Sequence, residues 1–196
     1  MHGVAQFKPL DRMDPRVSII FALVALTSLC AAARADVALR SQRRNVSVRV
    51  SPPSGWVGPG HDVRPSYDSF GWSHGKDPTA SYLSIRFDPN TNEPGDRHLA
   101  DDIVIHYNST PPAKIREQLK REFVHPELER IATLKIAGQS VRVYGIYVPG
   151  GDHSYVAEVV QDGTVIFMEL LSPMRRELQR HREMFLSFVR SLRLDT

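Results

Sequence analysis

Five side chains able to bind a divalent cation fall within residues 57–80 of this 196-residue chain: His61, Asp62, Asp68, His74 and Asp77. Imidazole nitrogens and carboxylate oxygens are ordinary ligands of zinc and related ions. His61 and His74 are the candidate metal ligands. Their spacing matches no established ligand motif, and structural zinc sites show tighter patterns. A polar loop also holds such residues by chance, so no cofactor is expected.

The same stretch carries Tyr67, Phe70 and Trp72 among Gly, Pro, Ser and Asp. Aromatic side chains give large contact area at interface centres. They more often fold back as a lid over a core. Both readings stand, and the first makes Tyr67, Phe70 and Trp72 the candidate binding residues.

Assembled catalytic chemistry is not visible. Ser, His and Asp are all present, but no G-x-S-x-G elbow occurs. His98 with Asp101 and Asp102 resembles an acid–base group, yet a charged turn explains them better. There is no Gly-rich phosphate loop and no dinucleotide fingerprint. No catalytic residue is therefore assigned. The alternative is a hydrolase or metal-dependent enzyme whose site is gathered from loop His and Asp residues, because triads need not be local in sequence.

An address is easier to read than a chemistry. Val17 to Ala33 is an apolar run preceded by Arg12 and Arg16 and ending in Ala33-Arg34-Ala35. Basic lead, short hydrophobic stretch and small-x-small end are the parts of a secretory signal peptide. A membrane span needs about 20 apolar residues, and this run is shorter and contains Thr27 and Ser28. Lipidation at Cys30 is disfavoured by Leu29 before it. Cleavage near Ala35 is expected, giving a periplasmic or secreted protein with no remaining transmembrane span. Met13 would give the leader a more ordinary length than Met1.

Removing residues 1–35 changes the charge and redox arguments. The leader holds four basic and two acidic residues, so +2 of the chain's +3 leaves with it. No nucleic-acid footprint remains. Cys30, the only Cys, leaves too, so disulfides and a cysteine nucleophile are excluded. Residues 36–196 are enough for one domain with its own core.

Patterning within that domain reads as α+β. Val46, Val48 and Val50 alternate with polar residues, as do Leu83, Ile85 and Phe87. Residues 57–80, rich in Gly and Pro, read as a long loop between these strands. Residues 103–107 could add a short strand. Thr110-Pro111 starts a helix with Ile115, Leu119 and Phe123 on one stripe, closed by His125-Pro126. Four turn-bounded runs follow, over 131–136, 141–148, 153–160 and 164–171, in the manner of an antiparallel meander. Ser172-Pro173 opens a last helix, running to about Leu194, whose apolar side includes Leu178, Phe185 and Phe188. Its arginines, Arg175, Arg176, Arg180, Arg182, Arg190 and Arg193, are diluted by Glu177 and Glu183 and read as a solvated face rather than a membrane patch. Asn45 and Asn108 stand in glycosylation sequons, relevant only in a eukaryotic host. Helices covering a mainly antiparallel sheet make an α+β layer fold.

These features resemble the PsbP-like and DcrB-like proteins. The matching points are a corner at Pro52, Pro53, Gly55 and Trp56, the mid-chain helix, and the hairpin at Gly138. The run His153 to Gly163 and the ending Phe188-Val189-Arg190-Ser191-Leu192-Arg193 complete the likeness, which spans most of residues 45–194. It implies an α/β/α sandwich and accessory or binding roles: photosystem assembly, envelope proteins, secretion-related adaptors. The expectation is an exported, non-catalytic module that binds another envelope or secreted protein, as an inhibitor, immunity protein or assembly factor.

Overall fold

Residues that alternate with a period of two build most of this chain, because successive strand side chains point to opposite faces. The computed structural model describes residues 35–64, 67–75, 80–89 and 106–195. The leader, Asp77, His98, Asp101, Asp102 and most of the strand expected at 103–107 lie outside them. Strands β1 (Val37–Arg40), β2 (Ser47–Val50), β3 (Val57–Val63), β4 (Asp68–Ser73) and β5 (Tyr82–Pro89) come first. Helix α1 (Pro112–Glu122) precedes β6 (Glu127–Ile136), β7 (Gln139–Tyr147), β8 (His153–Gln161) and β9 (Thr164–Ser172). Helices α2 (Arg175–Arg180) and α3 (Arg182–Ser191) and the short β10 (Arg193–Leu194) close the chain. All belong to one compact unit, Asp36–Thr196.

The strands form two sheets in which every pairing is antiparallel. One has the order β1-β2-β10, and the other β3-β4-β5-β9-β8-β7-β6. The meander β6–β9 is the one expected from sequence. Its tight turns fall where backbone can adopt positive φ: Ala137 and Gly138 at 47° and 80°, Asp162 and Gly163 at 48° and 69°. Two successive positive values fit a type I′ hairpin, whose twist matches that of the flanking strands.

Alternation sorts the larger sheet into two faces. Val141, Val143, Tyr155, Ala157, Ile166, Met168 and Leu170 face a buried cluster shared with Leu178 of α2 and Phe185, Phe188 and Val189 of α3. Val48 and Val50 of the smaller sheet join that cluster. Tyr144, Ile146 and Val156 point the other way and pack with Tyr107, Ile115 and Leu119. The class is α+β with a mostly antiparallel sheet.

Three sequence expectations are corrected. The segment expected as a loop holds strands over Val57–Val63 and Asp68–Ser73, because β3 and β4 form a hairpin on the edge of the sheet. Gly58, Pro59 and Gly60 fit there because β3 is the outermost strand, exposed along its length, and breaks register between Val57 and Gly60. Pro and Gly are tolerated at edges and bulges. The last helix does not run unbroken to Leu194. It breaks at His181, and Arg193–Leu194 pairs with Arg49 and Val48 as a strand. Finally, neither Thr110 nor Ser172 caps a helix, since α1 and α2 begin after Pro111 and Met174 without a side-chain cap bond.

Candidate functional site

A cavity of about 470 Å³ opens on the α1 side of the large sheet. Its floor is the set of residues that alternation turns away from the main core. Register places Arg86 opposite Phe167, Val156 opposite Glu169, and Ser154 opposite both Leu171 and Ile146. Leu119, Glu122 and Phe123 from the end of α1 form one wall, and Asp152 in the turn before β8 stands on another. Ordinary ligand pockets span about 300–1,000 Å³. This one has that size, with a lining that mixes apolar side chains with Arg86, Glu122, Asp152, Ser154 and Glu169.

Arg86 is held in place from three sides. Its Nε donates to the buried Asp88 carboxylate at 2.7 Å. Its guanidinium lies 5.2 Å from the Tyr67 ring centre and 5.0 Å from that of Phe167. Both distances suit cation–π attraction. Burial pushes the Glu169 carboxyl pKa above its usual range. The Arg86 charge and a hydrogen bond from Ser154 oppose that shift, while Asp152 adds to it. Tyr107 is pushed up as well, first by burial and then by the charges of Glu169, Glu158 and Glu122. Among the described residues the lining holds no imidazole and no thiol, and it offers charge, ring faces and apolar surface.

The residues singled out from sequence lie mostly elsewhere. Phe70 and Trp72 are buried in the main core, Trp72 only 1% exposed with its ring edge-on to Phe188 at 5.6 Å. They are core residues and not an exposed interface. Tyr67 alone borders the cavity, through Arg86. His61 stacks flat on Phe70 at 4.2 Å, with its Nε2 3.9 Å from an Asp68 oxygen. Asp62 pairs with Arg64 at 2.8 Å. His74 packs instead against Trp56 and His181, at 5.3 and 5.1 Å between ring centres. His61 and His74 thus have separate partners. Among the described residues no group of three or more His, Cys, Asp or Glu is placed to hold a metal.

Two of the helical arginines have carboxylate partners. Arg175 bonds Glu127 at 2.9 Å and lies 4.0 Å over the Tyr147 ring, and Arg180 bonds Glu177. Asn108 donates its Nδ2–H to the Glu158 carbonyl and accepts from Arg142 N–H, each at 2.7 Å, so it ties β7 to β8. No described helix is long and apolar enough to cross a membrane.

The His181 cluster carries a pH dependence. Burial lowers the His181 pKa, with the His74 and Arg180 charges adding to the effect and Glu177 opposing it. The unfolded chain takes up this proton near about pH 6.5, whereas the folded chain resists it. The contribution is therefore complete at higher pH and lost as pH falls below that value. Urea midpoints taken at about pH 7.5 and about pH 5 should fall by less in His181→Gln than in the native protein.

Sequence reading missed Arg86, Ser154 and Glu169 as a group because they sit on three strands. The available signal was a charge inside an apolar strand, as at Glu169 between Met168 and Leu170. No protein-family model matches the sequence. No curated protein matches it either. Solved structures with similar architecture include cyanobacterial PsbP (CyanoP) from Synechocystis, at 13% identity over 85% of this chain and 96% of that one, TM-score 0.48. A Pseudomonas aeruginosa protein of unknown function, PA94, matches at 14% identity over 80% and 94%, TM-score 0.44. The Ran-binding protein Mog1p of Saccharomyces cerevisiae matches at 7% identity over 82% and 96%, TM-score 0.44. The likeness is PsbP-like in architecture, and at these scores it carries no argument about function.

Proposed function

We propose that this protein is an exported, non-catalytic binding module of the cell envelope, with its sheet held between helices in the α/β/α manner of PsbP-like proteins. Its task is to hold another envelope or secreted protein, as an inhibitor, immunity protein or assembly factor. The export part rests on the Val17–Ala33 run and its Ala33-Arg34-Ala35 end.

One observation carries the binding part. The lining of the cavity beside α1 includes Phe123, left 40% exposed, and Val124, next to it in the chain, is 73% exposed. Single exposed apolar residues are ordinary, but an exposed lining residue followed directly by a second adds apolar docking surface beside the cavity.

The test is capture of partners from the envelope fraction with the tagged exported protein. A stoichiometric partner should appear, and Phe123→Glu should weaken its capture about tenfold, corresponding to about 1.4 kcal/mol, with the unfolding midpoint unchanged. N-terminal sequencing of the same sample should begin at Asp36. Capture that Phe123→Glu leaves intact would remove the groove from this reading, and an intact leader would remove export.

A further inference from the structure

Resting on that reading, we infer that the groove beside α1 receives a Lys or Arg side chain carried on an apolar segment of the partner protein. The charge of the lining argues for it. Among the described residues, four charged groups line the cavity: Arg86, Glu122, Asp152 and Glu169. Arg86 pairs with Asp88 at 2.7 Å, is flanked by the Tyr67 and Phe167 rings, and also acts on Glu169. Three carboxyls thus face one guanidinium that already has a carboxylate partner; they come from the end of α1, the turn before β8 and the middle of β9. They converge on one space although they come from separate elements. A cationic head entering there would meet opposite charge in a partly desolvated setting, where such contacts are stronger than in water.

The rest of the lining suits the stem of such a side chain. Leu119, Ile146, Val148 and Leu171 give apolar surface, and Lys and Arg lay their methylenes along such surface while the charged end finds a polar partner. Phe123 in the lining, and Val124 beside it in the chain, would meet apolar residues flanking the cation. That second feature favours a protein segment over a free amine.

The test uses nitrogen-15-labelled protein purified after export and three blocked pentapeptides. These are acetyl-Ala-Leu-X-Leu-Ala-amide with X as lysine, norleucine or glutamate. The lysine peptide should shift the amide signals of Asp152, Ser154 and Glu169 and bind about tenfold tighter than the norleucine peptide. Asp152→Asn, on an exposed turn, should reduce that preference, and Asp152→Asn with Glu169→Gln should abolish it. Equal binding of lysine and norleucine peptides overturns the cation while leaving the groove as a docking site. Tighter binding of the glutamate peptide, or shifts confined to another face, overturns the inference as well. Free butylamine binding as tightly as the lysine peptide overturns the protein segment as occupant. The docking reading itself fails separately, when Phe123→Glu leaves envelope capture intact.

Discussion

Trp72→Ala should lower the stability of this protein by about 3–5 kcal/mol, the range for deleting a large aromatic from a packed core. Whole domains are stable by only about 5–15 kcal/mol, so the variant should be marginal or unfolded. The position explains the size of the effect. Trp72 lies on β4 beside Leu83 of β5, its register partner, and edge-on to Phe188 of α3 at 5.6 Å. It therefore joins the sheet to the closing helix. The indole Nε1–H is buried and has no hydrogen-bond partner. Its contribution is thus one of packing, and the unsatisfied N–H subtracts from it. Trp72→Phe keeps much of the ring volume and removes that N–H, so its loss should be no more than about 1–2 kcal/mol. Urea unfolding with an unchanged m-value would measure both differences. Partner capture by Trp72→Ala should fall only with the folded fraction, as core placement requires. Lost capture with an unchanged unfolding midpoint would return Trp72 to an interface.

That position also shows where the sequence was legible. Phe70 and Trp72 alternate with Ser69, Gly71 and Ser73, which is a strand period. Flanking glycines and prolines hid it, since they ordinarily mark loops. Pro59 is acceptable only because β3 has no neighbour on its outer side, a fact of sheet order rather than of local sequence. The meander was readable because Asp162-Gly163 fixes a hairpin within a few residues. β10 was not, because it is a two-residue strand whose partner, β2, is remote in the chain, and β1 was not, because it is short and its connection to β2 carries no Gly or Pro turn signal. The break at His181 has the same character, since its ring packs on Trp56 and His74 from distant elements. The groove was the least legible part. Arg86, Ser154 and Glu169 are each the outward member of an alternation, and only antiparallel register brings them to one face.

Register also gives Asp68 its importance. It begins β4 on the core side, fully buried at 0% exposure, and reaches out of its own sheet. One carboxylate oxygen accepts from the Ser41 hydroxyl at 2.9 Å, and the other from the Gln42 N–H at 2.6 Å. Ser41 Oγ in turn accepts from the N–H groups of Arg43 and Arg44, at 3.2 and 2.9 Å. The β1–β2 connection of the small sheet is thereby tied to the large one. Asp68→Ala removes two hydrogen bonds to a charged acceptor and leaves both donors without it, so a loss of about 3 kcal/mol is expected. Asp68→Asn retains one acceptor but turns an NH₂ toward a donor, and should cost about 1–2 kcal/mol. Ser41→Ala should cost about 1–2 kcal/mol as well, because it removes the hydroxyl that links the carboxylate to the turn. The double variant Asp68→Ala with Ser41→Ala should then lose less than the sum of the singles, since both act through one network. Urea midpoints for the four proteins would give the coupling. Strict additivity would mean that Asp68 stabilises β4 alone and does not join the two sheets.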